Sequence, residues 1–137
     1  MTSISIPLER LTTAHICCRL VLNGKPIFLL VDTGASNSCV GQHRVDFFDL
    51  HLNKKVVEAA GAGHEKLTAQ KTDKGVLETA TGQRLTELPW MVLDLEPINS
   101  SLAKNDAPSI DGILGAELLQ NGQAQIDYQK AELRLQF

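Results

Sequence analysis

The residues with the clearest chemical potential form a short segment, Asp32-Thr33-Gly34-Ala35-Ser36. Asp-Thr-Gly alone occurs by chance in roughly a few per cent of chains this long, and an Asp in a β-turn is its ordinary interpretation. Here the preceding residues, Ile27 to Val31, are continuously apolar, and an acid at the end of a buried strand is less expected. Gly34 permits a tight turn that brings main-chain N–H groups toward the carboxylate. The segment is therefore a candidate site built around an ionised Asp32.

A second motif lies towards the end of the chain. It reads Asp111-Gly112-Ile113-Leu114-Gly115-Ala116-Glu117-Leu118-Leu119. An apolar pair followed by a glycine and a short helix is common in core packing, so this motif is weak evidence by itself.

The histidines and cysteines offer no competing site. The histidines, His15, His43, His51 and His64, lack the spacing of metal ligands. The cysteines, Cys17, Cys18 and Cys39, form no Cys-x-x-C pair, and an odd count argues against a disulfide framework. A nucleophilic Cys39 would need a base partner that the sequence does not supply. We therefore expect reduced thiols and no metal or other cofactor.

Strand patterns lead into the Asp32 segment and away from it. Apolar residues alternate from Ala14 to Leu22, which predicts a half-buried strand. Asn23-Gly24 predicts a hairpin turn, and the apolar run Ile27 to Val31 predicts a strand covered on both sides. Cys39 and Val40 are again apolar, and the spacing from Gln42 to Leu50 predicts a short helix.

The central part of the chain predicts further strands joined by loops. Val56 and Val57 begin one strand, and the small residues from Ala59 to His64 suit a mobile hairpin tip. Gly75 to Thr79 and Leu85 to Leu95 are strand-like. Asp94 to Ile110 is polar and irregular, which predicts a long surface loop with one helical turn.

The C-terminal part predicts a short helix and a hairpin. The helix covers Ala116 to Asn121, and Gly122 is placed to end it in a left-handed cap. Apolar residues alternate from Ala124 to Tyr128 and again from Leu133 to Phe137, on either side of a turn at Gln129-Lys130-Ala131. Many short strands with little helix indicate an all-β barrel or sandwich.

The composition bounds the classes of protein that fit. The 137 residues suit one domain, 1–137, and the net charge of -3 argues against nucleic acid or an anionic membrane as a partner. No apolar run approaches membrane-spanning length, and Met1 to Arg10 lacks the pattern of an export signal. We expect a cytoplasmic protein, with an upstream signal or anchor as the open alternative.

The order of the motifs resembles that of retropepsin-like aspartic proteases. An apolar strand, Asp-Thr-Gly-Ala-Ser, a glycine-containing hairpin, and then Ile113-Leu114-Gly115 with a short helix follow one another as in that family. The tail, with Ile126-Asp127-Tyr128 and Leu133-Arg134-Leu135, is similar to that of the bacterial single-domain members. The resemblance runs from about Thr13 to Phe137. It implies an all-β fold, a closed acid-protease barrel with one short C-terminal helix and a flap hairpin.

The resemblance also implies an aspartic endopeptidase that acts as a homodimer on a peptide or protein substrate. Each subunit of the family supplies one Asp-Thr-Gly, and this sequence has only one, so Asp32 of both chains would face across a two-fold axis. Two carboxylates about 3 Å apart share one proton. The ionised member takes a proton from a water, and the protonated member donates to the scissile carbonyl oxygen.

Further roles follow from the resemblance position by position. Thr33 would bond across the dimer axis, Gly34 would allow close backbone approach, and Ser36 would complete the loop. Ala35 matches the retroviral form and lacks the hydroxyl that bonds the catalytic Asp in pepsin-like enzymes. The strand before Ile113-Leu114-Gly115 would cross that loop. The flap would lie at Gly61, Ala62, Gly63 and His64.

The sequence departs from the retroviral pattern after the second motif. Retroviral enzymes usually place an Arg just after the glycine equivalent to Gly115, where it pairs with an acid near the active site. Ala116 and Glu117 stand here instead, so we expect different dimer contacts. The alternative interpretation is a non-catalytic retropepsin-fold module for dimerisation or peptide binding. The intact Asp32-Thr33-Gly34 favours the enzyme, because a binding module has no need of a carboxylate pair.

Overall fold

Short strands account for most of the structure, a computed structural model that describes residues 3–60 and 66–137. The strands are β1 (Ser3–Pro7), β2 (Glu9–Arg10), β3 (Ile16–Leu22), β4 (Lys25–Val31), β5 (Cys39–Gly41), β6 (Leu52–Ala60), β7 (Lys66–Thr79), β8 (Arg84–Leu93), β9 (Gly112–Leu114), β10 (Gln125–Asp127) and β11 (Glu132–Gln136). The helices in these ranges are α1 (Glu96–Lys104) and α2 (Ala116–Asn121). Neither helix is long and apolar enough to cross a membrane.

Six of the strands close into a barrel. They pair in the order β3-β4-β9-β5-β8-β7, and β7 returns to β3 through pairs such as Leu20 with Thr79. The β4–β9 and β5–β8 pairs are parallel, and the other pairs around the ring are antiparallel. A second sheet has the order β1-β11-β10. This arrangement confirms the predicted all-β barrel with a short C-terminal helix.

Strand β4 is apolar from Ile27 to Val31 because both faces of this stretch are covered, as its sequence predicts. Ile27, Leu29 and Val31 belong to the core inside the barrel. Phe28 and Leu30 belong to a second apolar cluster, which includes Leu102 of α1. The strand that leads to Asp32 is therefore fixed by packing from two sides.

Helix α1 occupies residues 96–104 of the segment predicted to be a surface loop with one helical turn, so the helix is longer than predicted. Pro97 sits in the first turn, where a proline is tolerated because its missing N–H needs no partner. Leu95, Ile98 and Leu102 fall three and four residues apart and reach the second cluster. The helical pattern is weak in the sequence because few other residues in this segment are apolar.

The predicted helix from Gln42 to Leu50 is also wrong. A single 3-10 turn covers Gln42–Arg44, and turns follow it. Asp49 has a left-handed backbone with φ 54°, which ends any helical run. Val45, Phe48 and Leu50 are nevertheless buried. Their apolar spacing therefore indicates residues packed in the core, although they do not form a regular helix.

Of the three turns predicted from the sequence, the one after α2 differs from prediction. The left-handed residue after α2 is Gln123, with φ 47°, whereas Gly122 has φ -85°. A Cβ at Gly122 would lie 2.9 Å from the ring of Phe137, so the glycine serves close packing. The other two turns are as predicted, at Asn23-Gly24 with φ 50° and 81°, and at Gln129-Lys130-Ala131 with φ 53° at Ala131.

Candidate active site

Asp32 stands where the buried strand β4 meets the surface. Its N–H donates to the carbonyl oxygen of Leu114 at 3.0 Å, which continues the parallel pairing of β4 with β9 beyond Val31. Val31 is buried, Asp32 is partly exposed, and Thr33 is exposed. The barrel therefore presents one carboxylate at a fixed point on its surface.

A tight turn surrounds the carboxylate of Asp32. The Gly34 N–H donates to Asp32 Oδ1 at 2.9 Å, and the Ala35 N–H donates to the Asp32 carbonyl oxygen at 3.2 Å. A Cβ at Gly34 would lie 3.3 Å from Oδ1, so a larger residue would crowd that oxygen. An N–H donor of this kind stabilises the charged form of a carboxylate.

The second motif lies directly against this turn. Ile113 and Leu114 belong to β9, and the Ala116 N–H donates to the Ala35 carbonyl oxygen at 2.6 Å. A Cβ at Gly115 would come within 2.6 Å of the Asn37 carbonyl carbon and 2.9 Å of the Ala35 oxygen. Only a residue without a side chain lets the two segments approach this closely.

The sequence analysis did not anticipate that Ser38 and Glu117 are joined at this junction. The carboxylate of Glu117 accepts hydrogen bonds from both the N–H and the hydroxyl of Ser38. The Ser38 hydroxyl oxygen in turn accepts from the Gly115 N–H at 2.9 Å. The only signal for Glu117 was an acid in the first turn of a helix, and its partner lies 79 positions away.

The structure brings together the residues of the two motifs singled out from the sequence. Asp32, Thr33, Gly34, Ala35 and Ser36 form one loop, and Ile113, Leu114 and Gly115 pack beside it. The proposed flap residues, Gly61, Ala62, Gly63 and His64, lie outside the described residues. The strands that flank them, β6 and β7, form an antiparallel pair that includes Ala60 with Lys66.

Grooves open on both sides of the Asp32 loop. One, of about 470 Å³, is lined by Ala14, His15, Ile16, Leu30, Val31, Asp32, Thr33, Ile98, Ile126 and Tyr128. The other, of about 320 Å³, is lined by Thr33, Ala116, Leu119, Gln120, Gln123, Ala124 and Ile126. Thr33 and Ile126 border both, so the exposed tip of the loop and strand β10 form one continuous surface.

Comparison with protein families decides the assignment that this geometry suggests. A family model described as aspartyl protease matches residues 18–118, which include both the Asp32 loop and the second motif. The chain belongs to the aspartyl protease family. No curated protein sequence matches this chain at a significant level.

Solved structures place the chain among retropepsin-like folds. It is similar to a retropepsin-like aspartic protease from Rickettsia conorii, with 21% identity over 98% of this chain and 89% of that one, and a TM-score of 0.60. It is also similar to EIAV protease in complex with the inhibitor HBY-793, with 18% identity over 81% and 90% of the chains and a TM-score of 0.54. The retroviral protease-like domain of Ddi1 from Leishmania major has 14% identity over 92% and 84%, with a TM-score of 0.54.

Cys39, at the edge of the candidate site, has the properties of an inert thiol. Its Sγ donates to the Asn37 carbonyl oxygen at 3.3 Å. Burial raises the pKa of Cys39 to about 11, and the negative charges of Glu117 and Asp32 contribute in the same direction. A thiol with so high a pKa is almost entirely protonated at neutral pH, so it is a poor nucleophile.

Proposed function

We propose that the protein is an aspartic endopeptidase that hydrolyses peptide bonds with a water activated between the Asp32 carboxylates of two chains. The observation that carries the proposal is the setting of Asp32. Its carboxylate ends a doubly covered strand, receives the Gly34 N–H at 2.9 Å, and faces an open groove. Such a carboxylate is rigidly placed and stays accessible to a water or a substrate.

A second chain would supply the second carboxylate, because the acid of the second motif, Asp111, cannot do so. The side chain of Asp111 accepts the Phe28 N–H at 2.9 Å and contacts Arg44 at 3.0 Å, so it is committed to holding the barrel together. Phe28 lies four residues before Asp32 on an extended strand, a separation of roughly 13 Å. That distance is far larger than the roughly 3 Å over which two carboxylates share a proton.

The surface around Thr33 suits a homodimer. Thr33 and Gly34 are exposed although the segments behind them are buried. Nearby, β10 is an edge strand of the sheet β1-β11-β10, and the side chain of Tyr128 just beyond it is exposed. An unpaired strand edge beside exposed apolar groups favours pairing with another chain. We propose that this partner is a second copy, which places both Asp32 residues at the axis.

With two carboxylates in place, the reaction needs no covalent intermediate. The ionised Asp32 takes a proton from the bridging water, whose oxygen attacks the scissile carbonyl carbon, and the protonated Asp32 donates to the carbonyl oxygen. The proton taken from the water then passes to the leaving amine as the C–N bond breaks. We further propose that an extended peptide binds in the groove. A cytoplasmic location stays a prediction from the sequence.

The direct test compares wild type with Asp32→Asn for cleavage of an unfolded protein between acid and neutral pH. Asn keeps the size of the side chain and removes the ionisable group. We expect cleavage by the wild type and none by the variant. Equal cleavage by both would reject Asp32 as the catalytic acid. No cleavage by a wild type that is shown to be dimeric would favour the non-catalytic binding module.

A further inference from the structure

The Asp32 loop is tied to the second motif by a hydrogen-bond network with a charged centre. Three hydrogen bonds join the loop to the second motif. The Asp32 N–H donates to the Leu114 carbonyl oxygen, and the Ala35 carbonyl oxygen accepts the Ala116 N–H. At the end of the loop, the Ser38 hydroxyl oxygen accepts the Gly115 N–H. The last of these connections is the one formed by side chains. Ser38 is 1% exposed, and its carbonyl oxygen also accepts the Met91 N–H at 3.0 Å.

The hydrogens in this network can be assigned from chemistry alone. A backbone N–H can only donate, so the Ser38 hydroxyl accepts from Gly115 and must send its own hydrogen to Glu117. One carboxylate oxygen of Glu117 accepts that hydroxyl hydrogen and the Leu118 N–H at 3.0 Å. The other oxygen accepts the Ser38 N–H. Both oxygens therefore face donors, which requires an acceptor at each position.

We propose that Glu117 is a positioning residue that fixes the Asp32 loop through Ser38. The proposal rests on the proposed function, because the loop it fixes is the one that carries the catalytic carboxylate. Glu117 lies in the first turn of α2 and joins that helix to Ser38 at the end of the Asp32 loop. A buried hydroxyl held between a charged acceptor and a backbone donor has a single orientation, and the loop ending at Ser38 inherits that order.

Glu117→Gln is a sharp test because it preserves size while replacing one acceptor by a donor. In one orientation the amide NH2 group meets the Ser38 N–H, and in the other it replaces the acceptor of the Ser38 hydroxyl hydrogen and the Leu118 N–H, so at least one donor loses its partner. Glu96→Gln is the matched control, since Glu96 is an exposed acid in the first turn of the other helix. Both variants remove a negative charge from the first turn of a helix. If that charge alone mattered, the two variants would show equal effects.

The first readout is amide hydrogen exchange, which does not depend on activity. In Glu117→Gln we expect exchange at the amides of Asp32, Gly34 and Ala35 to accelerate by about tenfold or more. The Leu8 amide, bonded to Ala131 at 2.8 Å in the distant β1 region, should keep its wild-type rate. Unchanged exchange at Asp32, Gly34 and Ala35, or equal acceleration at Leu8, would overturn the proposal.

The second readout is kinetic and applies if the wild type cleaves peptides. We expect Glu117→Gln to lower kcat by about tenfold to a hundredfold with KM changed by less than about threefold, and Glu96→Gln to match the wild type. Because Ser38 is the intermediary, Ser38→Ala combined with Glu117→Gln should lose less than the product of the two single effects. Fully multiplicative effects would overturn the role of Ser38. A wild type without activity would reject the proposed function, while the exchange rates would still decide the role of Glu117.

Discussion

At the residue scale, the site depends on the absence of a side chain as much as on the presence of a carboxylate. The Asp32 loop and the segment after β9 touch through backbone atoms, and Gly115 stands at the contact. Gly115 has no unusual backbone angle that would require a glycine. Gly24 does, with φ 81°, and it has open space around it. Substitutions at the two glycines therefore distinguish the effect of steric contact from that of backbone strain.

We predict that Gly115→Ala destabilises the fold by about 1–3 kcal/mol or more, because its Cβ would overlap backbone atoms that cannot move aside. Gly24→Ala should cost only about 1 kcal/mol for the left-handed backbone. Urea unfolding of both variants measures the free energies, and peptide cleavage at saturating substrate measures the site. A Gly115→Ala protein as stable and active as the wild type would contradict the close contact.

At the scale of elements, the strand that presents Asp32 is held from both sides. The barrel core covers one face of β4, and α1 covers the other through Leu102, which is 3% exposed. Ser101, its neighbour in the same helix, is exposed. Substitutions at these two positions therefore test whether packing by α1 stabilises β4, without changing the helix itself.

Removing the buried side chain in Leu102→Ala should destabilise the protein by about 2–5 kcal/mol, since it leaves a cavity over β4. Ser101→Ala should remain within about 0.5 kcal/mol of the wild type. Thermal or urea unfolding of the pair is sufficient. Equal stability of the two variants would show that α1 does not support β4.

The elements also show why some features could be predicted and others could not. The runs around Asp32 carry local signals, namely alternation in β3, the Asn23-Gly24 turn and the apolar β4, and the structure has all three. The length of helix α1 was missed because a mostly polar segment buries few residues. The bond between Ser38 and Glu117 was missed because no local pattern connects residues so far apart in sequence.

At the scale of the whole molecule, the proposed function makes the chain one half of a catalytic unit. Family membership and the retropepsin-like fold are established by the comparisons, and the proposed activity adds the pairing of two Asp32 carboxylates. The single exposed Asp-Thr-Gly and the strand edge at β10 are the features that such pairing would use. A pairing of this kind makes activity depend on which chains meet.

Mixing wild-type chains with Asp32→Asn chains tests that dependence most directly. The amount of wild type is held constant, the variant is added in about ninefold excess, and subunit exchange is allowed to reach equilibrium before peptide cleavage is measured. Random pairing then leaves about one tenth of the original activity, because most wild-type chains are paired with an inactive partner. A mixture that keeps the full activity of its wild-type chains would contradict the shared site.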